Sequence, residues 1–249
     1  MPKTIKPVVA TSADSSTVPN FKQELFVQFA RVGKALSNGN RLELLELLAQ
    51  GERSVDELAR VSGLAVANTS QHLQQLRQAG LIVARKQGLN VFYRLSGDDV
   101  LSLFEILRAV AGRHVAEVER LVNTFLTVKD TLEPISREEL LERTQQGRVT
   151  VLDVRPPEEF ASGHVPGAVN VSLAELEDYL QKADPYQEIV AYCRGPYCVL
   201  AFDAVAQLRA WGLNARRLQD GFPEWKQAGM PVETTDNVMR ASDKGVLPG

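Results

Sequence analysis

The spacing of apolar residues divides the chain into two parts. In the first part, apolar side chains recur every three or four positions, which is typical of amphipathic helices. This spacing predicts helices over 21–36, 41–49, 55–62, 66–79 and 98–122. Two short apolar runs, 81–83 and 91–95, flank the turn 87–90 and predict a β-hairpin before the last of these helices.

The third and fourth predicted helices carry clear start and turn signals. Ser54 and Glu57 fit a capping box, in which each side chain bonds the backbone N–H of the other residue. Gly63 supplies a tight turn, and two short helices joined by such a turn form a helix-turn-helix. Together with the hairpin and the long helix after it, this order predicts a mainly α winged helix-turn-helix domain.

The second part of the chain alternates short apolar strands with helices. Strands are predicted at 149–154, 189–192 and 215–218, and helices at 173–182, 199–210 and 222–228. This alternation predicts an α/β domain with a parallel sheet. The expected organisation is a disordered arm (1–18), the winged helix domain (19–122), a linker (123–133), the α/β domain (134–233) and a disordered tail (234–249).

Charge and composition narrow the class of protein. Residues 1–128 carry 15 Lys and Arg against 12 Asp and Glu, whereas residues 129–249 carry 13 against 19. This asymmetry favours an anionic partner for the first half. No apolar run is long enough for a membrane span or a secretory signal, so we expect a cytoplasmic protein without a membrane partner. In a reducing cytosol, the two cysteines indicate catalysis, redox sensing or packing rather than a structural disulfide.

The helix over 66–79 has one apolar and one polar face. Thr69, Leu73 and Leu76 share the inner face, and a set of short polar side chains points outward: Asn68, Ser70, Gln71 and Gln74. Asn and Gln can bridge the N6 and N7 groups of adenine in the major groove. The candidate phosphate contacts are Arg77, Arg85 and Lys86. The pattern alone fits an ordinary solvated helix face and a charged edge strand equally well.

Residues 31–96 resemble the ArsR family of small winged helix repressors. The resemblance is carried by motifs along the whole segment, among them Ser62-Gly63-Leu64, Ser70-Gln71-His72-Leu73, Ala79-Gly80-Leu81-Ile82 and Phe92-Tyr93. It implies that 66–79 is the recognition helix for double-stranded DNA, that the hairpin is the wing, and that the flanking helices form a homodimer. Ala65 departs from the family, which usually has a capping Ser at this position.

Many ArsR proteins sense metals, and the resemblance locates the positions of their ligands. Ser54 and Asp56 stand where one family site has cysteines, and Leu101 and Leu103 replace half of another. His114 and Glu117 are the remaining half of this second site. Two ligands cannot complete a zinc site that needs four. We therefore expect no metal site and no cofactor.

Cys193 directly follows one predicted strand and precedes a predicted helix. In α/β sheets, sites form at the C-terminal ends of strands, where backbone N–H groups and a helix dipole lower the pKa of a thiol. Gly195 lets the loop curl tightly, and Arg194 adds positive charge if its side chain turns inward. The local pattern fits a buried, inert cysteine equally well.

Residues 134–233 resemble a single rhodanese domain. The motifs are Leu152-Asp153-Val154-Arg155, Gly163-His164-Val165-Pro166-Gly167 and Tyr192-Cys193-Arg194-Gly195, followed by Gly221-Phe222 and Trp225. The resemblance implies that Cys193 accepts a sulfane sulfur as a persulfide and passes it to a thiol or cyanide. It also implies that Asp153, Arg155 and His164 chiefly brace the fold. Related phosphatases need an arginine where Val199 stands, which disfavours phosphatase chemistry.

Cys198 departs from rhodanese loops, which often have Ser, Thr or Arg near this point. The two cysteines bracket the six-residue segment Cys-Arg-Gly-Pro-Tyr-Cys. A disulfide requires Cα atoms roughly 4.4–6.8 Å apart, which a curled loop permits. Cys198 is thus a candidate resolving thiol, and the alternative is a small buried residue in the first helical turn.

These observations lead to one functional hypothesis and two alternatives. We expect a dimeric DNA-binding regulator, a repressor, that senses or carries sulfane sulfur or redox state through Cys193. Arg194, Gly195 and Cys198 complete its loop, and the further partners are a sulfane sulfur donor or an acceptor thiol. One alternative is a sulfurtransferase with an accessory DNA-binding domain. The other is a rhodanese domain that serves only as a protein-interaction module.

Overall fold

The computed structural model describes residues 20–127, 134–181, 184 and 186–235. The predicted arm, residues 128–133 of the predicted linker and nearly all of the predicted tail lie outside these ranges.

The first half of the chain is a helical domain with a small antiparallel sheet. Its elements are α1 (Phe21–Leu36), α2 (Gly39–Ala49), β1 (Arg53–Ser54), α3 (Val55–Ser62), α4 (Val66–Gln78), β2 (Ile82–Gln87), β3 (Asn90–Leu95), α5 (Asp98–His114) and α6 (Ala116–Val122). The sheet has the order β1-β3-β2, with all pairs antiparallel. This order of elements confirms the predicted winged helix-turn-helix.

Leucines from three helices form the core of this domain. The most deeply buried of them are Leu44 and Leu45 of α2, Leu58 of α3, and Leu73 and Leu76 of α4. Neighbouring residues determine where the helix-turn-helix begins. The predicted capping box starts α3, and in it the Ser54 N–H donates to Glu57 Oε2 over 2.7 Å. Gly63 ends the helix with φ 70°, a conformation that favours glycine.

Three features in or next to this half differ from the prediction. The helix predicted over 98–122 is interrupted at Val115, which adopts an extended conformation between α5 and α6. Apolar spacing continues through the interruption, so periodicity does not reveal it. Strand β1 was not predicted, because two residues are too few to show an alternation. A short π-helix, Asn123–Thr127, begins the predicted linker.

The second half is a parallel sheet with helices on both faces. Its elements are α7 (Arg137–Gln145), β4 (Val149–Asp153), α8 (Pro157–Ser162), β5 (Val169–Asn170), α9 (Leu176–Leu180), β6 (Glu188–Tyr192), α10 (Val199–Ala210), β7 (Ala215–Arg217) and α11 (Phe222–Gln227). The strand order is β5-β4-β6-β7, and each pair is parallel. The predicted α/β class is confirmed, although the helix predicted over 173–182 is shorter and α7, α8 and β5 were not predicted.

Alternate residues of the central strand β6 enter two separate cores. Ile189 and Ala191 join the core that includes α9 and α10, whereas Val190 and Tyr192 join the core that includes α7 and α11. This alternation follows from the two-residue repeat of a strand. Because β6 is covered on both faces, the loop that follows its C-terminal end is the candidate site of this domain.

A buried ion pair braces the end of the sheet. Arg155 is fully buried, and its Nη2 lies 2.5 Å from Asp153 Oδ2 and 2.7 Å from the Gly163 carbonyl oxygen. The Tyr192 hydroxyl donates to the same Asp153 oxygen over 2.5 Å, and burial together with Asp153 raises the pKa of this hydroxyl well above its usual range. The bracing role that the rhodanese resemblance implied for Asp153 and Arg155 agrees with these contacts.

We expect Asp153→Ala to lower the free energy of unfolding of this domain by about 3–5 kcal/mol, since it leaves the buried Arg155 without its partner. Both tryptophans, Trp211 and Trp225, lie in this half, so their fluorescence during urea unfolding reports on it selectively. The exposed Asp178→Ala is the matched control. A loss below about 1 kcal/mol for Asp153→Ala would contradict the bracing role.

Candidate functional site

Helix α4 presents a polar face to solvent. Thr69, Leu73 and Leu76 are buried on its inner side, as predicted. The residues on the other side are open to solvent: Asn68, Gln71, Gln74 and Arg77 are exposed, and Ser70 is half-buried. The helix thus carries short amide and hydroxyl groups on a surface that a nucleic acid can approach, and hydrogen-bonding side chains of this kind can read base edges.

The hairpin adds basic side chains, one of which already has a partner. Arg85 Nη2 lies 2.5 Å from Glu52 Oε2, and its guanidinium lies over the ring of Phe92. This hydrogen bond lowers the pKa of the Glu52 carboxyl. A phosphate group would have to compete with Glu52 for Arg85, whereas Lys86 next to it is exposed. The sequence alone could not reveal the Glu52 contact, because the two residues are far apart along the chain.

The four residues predicted around the cysteine lie in one loop at the end of β6. Cys193 follows the strand, Arg194 and Gly195 continue the loop, and Cys198 is the N-cap of α10. The loop is held by backbone hydrogen bonds: the Cys198 N–H donates to the Gly195 carbonyl over 3.1 Å, and the Phe222 N–H donates to the Cys193 carbonyl over 3.0 Å. The predicted strand-loop-helix placement of the cysteine is therefore correct.

The two cysteines are joined as a disulfide. Their Cα atoms are 6.1 Å apart, within the range that a disulfide spans. Cys193 is 1% exposed and belongs to the core that includes α10, whereas Cys198 is half-buried. A solvent-borne thiol therefore meets Cys198 before it meets Cys193.

The side chain of Arg194 is turned toward a carboxylate. Its Nε and Nη2 atoms lie 2.7–3.1 Å from the carboxylate oxygens of Glu159, which is buried in α8. The positive charge that Arg194 was expected to add to the loop is thus paired with the Glu159 carboxylate. Glu159 was missed as a site residue, because a glutamate at the start of a helix normally signals only a favourable interaction with the helix dipole.

Two glycines allow the loop to pack closely. A Cβ on Gly221 would overlap the backbone of Arg194 and Gly195, so only glycine fits there. Gly195 is not in the left-handed region, and its missing side chain leaves room for Arg108 Nη1, which would lie 3.3 Å from a Cβ. Gly195 was expected to let the loop curl tightly. What its missing side chain provides here is room for the close approach of Arg108.

The neighbours of the loop come from the first half of the chain. Gln50, after α2, donates from Nε2 to the Arg194 carbonyl oxygen over 3.2 Å. Arg108 of α5 lies 2.6 Å from Glu224 of α11, which also accepts from the Gly221 N–H. Burial raises the pKa of the Glu46 carboxyl of α2 against the opposing effect of Arg108. The loop is thus covered by α2 and α5 of the helical domain.

Comparisons with known proteins match each half separately and the two halves together. Residues 38–83 match the bacterial regulatory protein family arsR, and residues 136–228 match the rhodanese-like domain. The HTH-type transcriptional regulator Rv0324 of Mycobacterium tuberculosis is 47% identical over 212 residues, which cover 85% of this chain and 93% of that protein. The chain belongs to the ArsR family. It is a transcriptional regulator that carries a rhodanese-like domain in addition to its ArsR domain.

Solved structures are similar to each half of this regulator. The homodimeric winged helix-turn-helix domain Mb0332 of Mycobacterium bovis is 43% identical and covers 42% of this chain and 94% of that one, with a TM-score of 0.37. A rhodanese-related protein of Thermoplasma volcanium is 27% identical and covers 41% of this chain and 98% of that one, also with a TM-score of 0.37.

Two residues that the metal-site comparison singled out, His114 and Glu117, lie at the junction of α5 and α6. His114 is exposed at the end of α5, and Glu117 is bound to Arg120 at 2.5 Å. Among the described residues, no three His, Cys, Asp or Glu side chains are grouped as a metal site would require. Nor does any helix in the described part of the regulator have the length and apolar character to cross a membrane.

The N-terminus of α4 in this regulator lacks a cap, because Ala65 occupies the extended N-cap position without a side-chain acceptor. We expect Ala65→Ser to increase the local opening free energy of the first turn by about 1 kcal/mol, since its hydroxyl can accept the Asn68 N–H. Amide hydrogen exchange measures this change. Ala67→Ser, within the same turn, is the control, and equal protection in the two variants would contradict the prediction.

Proposed function

We propose that the chain is a dimeric DNA-binding regulator whose DNA affinity changes when Cys193 and Cys198 pass between dithiol and disulfide, with sulfane sulfur as the oxidant. The observation that supports this proposal is the position of the cysteine pair. The pair lies at the C-terminal end of β6, and the residues between the two cysteines meet the helical domain: Gln50 bonds the Arg194 carbonyl oxygen, and Arg108 of α5 approaches Gly195. A conformational change in the loop therefore alters its contacts with that domain directly.

The proposed reaction is a two-step transfer. The Cys193 thiolate attacks the sulfane sulfur of a hydropersulfide, R–S–SH, forms a persulfide and releases the donor as its thiolate. The Cys198 thiolate then attacks Cys193 Sγ, the persulfide bond breaks, and hydrosulfide leaves. The two cysteines lose two electrons in total, and the sulfane sulfur gains them as it becomes sulfide. A reducing thiol reverses the bridge by disulfide exchange, first at the more accessible Cys198.

The DNA-binding part of the proposal follows from α4 and the hairpin. Asn68, Ser70, Gln71 and Gln74 are the proposed base-reading residues, and Arg77, Arg85 and Lys86 are the proposed phosphate contacts. Dimerisation is supported by large apolar side chains left open on the outer helices: Phe26 and Phe29 of α1 and Ile106 of α5 are each more than half exposed. Apolar surface of this extent indicates a protein interface.

The sulfurtransferase alternative uses the same first step, but it requires rapid turnover. Cys193 is 1% exposed, and residues of α2 and α5 cover its loop. Access to the sulfur therefore requires movement of the loop or of the helical domain. This arrangement favours a switch that reacts once per signal over an enzyme that releases product continuously.

The sulfur-dependent switch is tested with the promoter upstream of the protein's own gene. We expect polysulfide to change the affinity of the reduced wild type at least fivefold, within the usual range of allosteric coupling, and to leave that of Cys193→Ser unchanged. Cys198→Ser should gain one sulfur atom by mass spectrometry without forming the bridge. An equal polysulfide response in wild type and Cys193→Ser would contradict the proposal, and failure of Cys193 to gain sulfur would favour an inert interaction module.

Base reading by α4 is tested with single substitutions. We expect Gln71→Ala or Asn68→Ala to weaken binding to the specific promoter by about 1–3 kcal/mol, because each amide forms hydrogen bonds to a base edge. Fluorescence anisotropy with specific and scrambled duplexes separates this loss from general phosphate binding. Gln181→Ala, exposed in the second half, is the control. Equal losses on the two duplexes would argue against base reading.

A further inference from the structure

We infer that Gln50 and Arg53, which belong to the DNA-binding domain, are positioning residues for the cysteine loop and set its thiol–disulfide equilibrium. This inference rests on the proposed function in taking the cysteine pair as the reactive group, and it names residues outside the rhodanese-like domain. Both residues lie in the short segment between α2 and α3, and both are buried.

Gln50 holds the backbone immediately after Cys193. Its Nε2 donates to the Arg194 carbonyl oxygen over 3.2 Å, and its Oε1 accepts from Arg155 Nη1 over 3.2 Å. One amide therefore joins the loop to the buried Asp153–Arg155 pair that braces the sheet. Because Gln50 is 3% exposed, water does not readily replace these two bonds if the side chain is removed.

Arg53 holds the side chain of Arg194, because both arginines bind the carboxylate of Glu159. Arg53 Nη2 lies 2.8 Å from Glu159 Oε1, and Arg194 binds both oxygens of the same group. The side chains of Arg53 and Glu159 are 6% and 0% exposed. Arg53 Nε is buried without a hydrogen-bond partner in the described part of the chain, so Glu159 provides the main compensation for its charge.

On the other side, Arg53 lies in β1, which pairs with the wing hairpin. It pairs with Tyr93 of β3, and the next residue, Ser54, pairs with Phe92 and caps α3. A contiguous set of contacts thus runs from Cys193 through Arg194 and Glu159 to the strand that joins the wing to the helix-turn-helix. Contiguous packed and charged groups of this kind carry coupling when one of them has two states.

The two states are the disulfide and the dithiol of the six-residue loop. The disulfide requires the loop to keep its Cα atoms at a bonding separation, 6.1 Å here. Gln50 and Arg53 hold Arg194, inside the loop, in the conformation that belongs to this closed form. Removing either contact should therefore favour the dithiol relative to the disulfide.

The test measures the equilibrium between the full-length protein and glutathione, without DNA. Each disulfide consumes two glutathione thiols and yields a dithiol and oxidised glutathione, and alkylation followed by mass spectrometry counts the two forms. We expect Gln50→Leu and Arg53→Met to shift this equilibrium toward the dithiol about fivefold or more. Arg53→Lys, which keeps the charge, should recover part of the wild-type value.

The matched control is Arg60→Met, because Arg60 pairs with Glu158 across the same two domains at 3.4 Å. The side chains of that pair are 67% and 46% exposed, so we expect a shift of less than about twofold. Circular dichroism verifies that each variant is folded. Wild-type equilibrium constants in folded Gln50→Leu and Arg53→Met, or a shift toward the disulfide, would overturn the inference.

The result is independent of the DNA response. If the variants shift the equilibrium and wild-type DNA affinity ignores the cysteine pair, the positioning role holds and the proposed function fails. If wild-type DNA affinity responds to the cysteines and the variants keep the wild-type equilibrium, the proposed function holds and the positioning role fails.

Discussion

The structure depends on one buried carboxylate, that of Glu159, which is shared by Arg53 of the DNA-binding domain and Arg194 of the cysteine loop. A carboxylate that is removed from water must be paired, since the loss of one partner leaves an uncompensated buried charge. The pairing is complete only when the two domains are packed together. Glu159 therefore makes the position of the loop and the position of the wing strand depend on each other.

This constraint also explains the limited access to the sulfur atoms. The helices that bring Gln50 and Arg108 to the loop cover it at the same time, and Cys193 is left buried behind Cys198. In an isolated α/β domain, the end of a central strand is an open binding position. Here the DNA-binding domain occupies that position, so the proposed reaction at the loop and the packing of the domains would compete for the same surface.

The sequence predicted the features that are encoded locally. Ser54 and Glu57 have the spacing that marks the start of a helix, and the apolar strand before Cys193 places that residue at the C-terminal end of a strand. It could not predict which residues meet across the two domains. The ion pair between Arg53 and Glu159 joins positions far apart in the chain, and no local pattern distinguishes either residue from a solvated charge. The orientation of Arg194 was left open for the same reason. The Cys193–Cys198 pairing was left open because a separation of five residues does not determine whether the loop curls enough to bring the two Cα atoms to a bonding distance.

Whether DNA and the cysteine pair influence each other equally can be measured in both directions. Coupling between two equilibria is reciprocal, so the ratio of DNA affinities of the disulfide and dithiol forms must equal the factor by which saturating promoter DNA shifts the glutathione equilibrium of the pair. We predict that the two factors agree and differ from one. A glutathione equilibrium that promoter DNA leaves unchanged would show that DNA binding and the cysteine pair are not coupled.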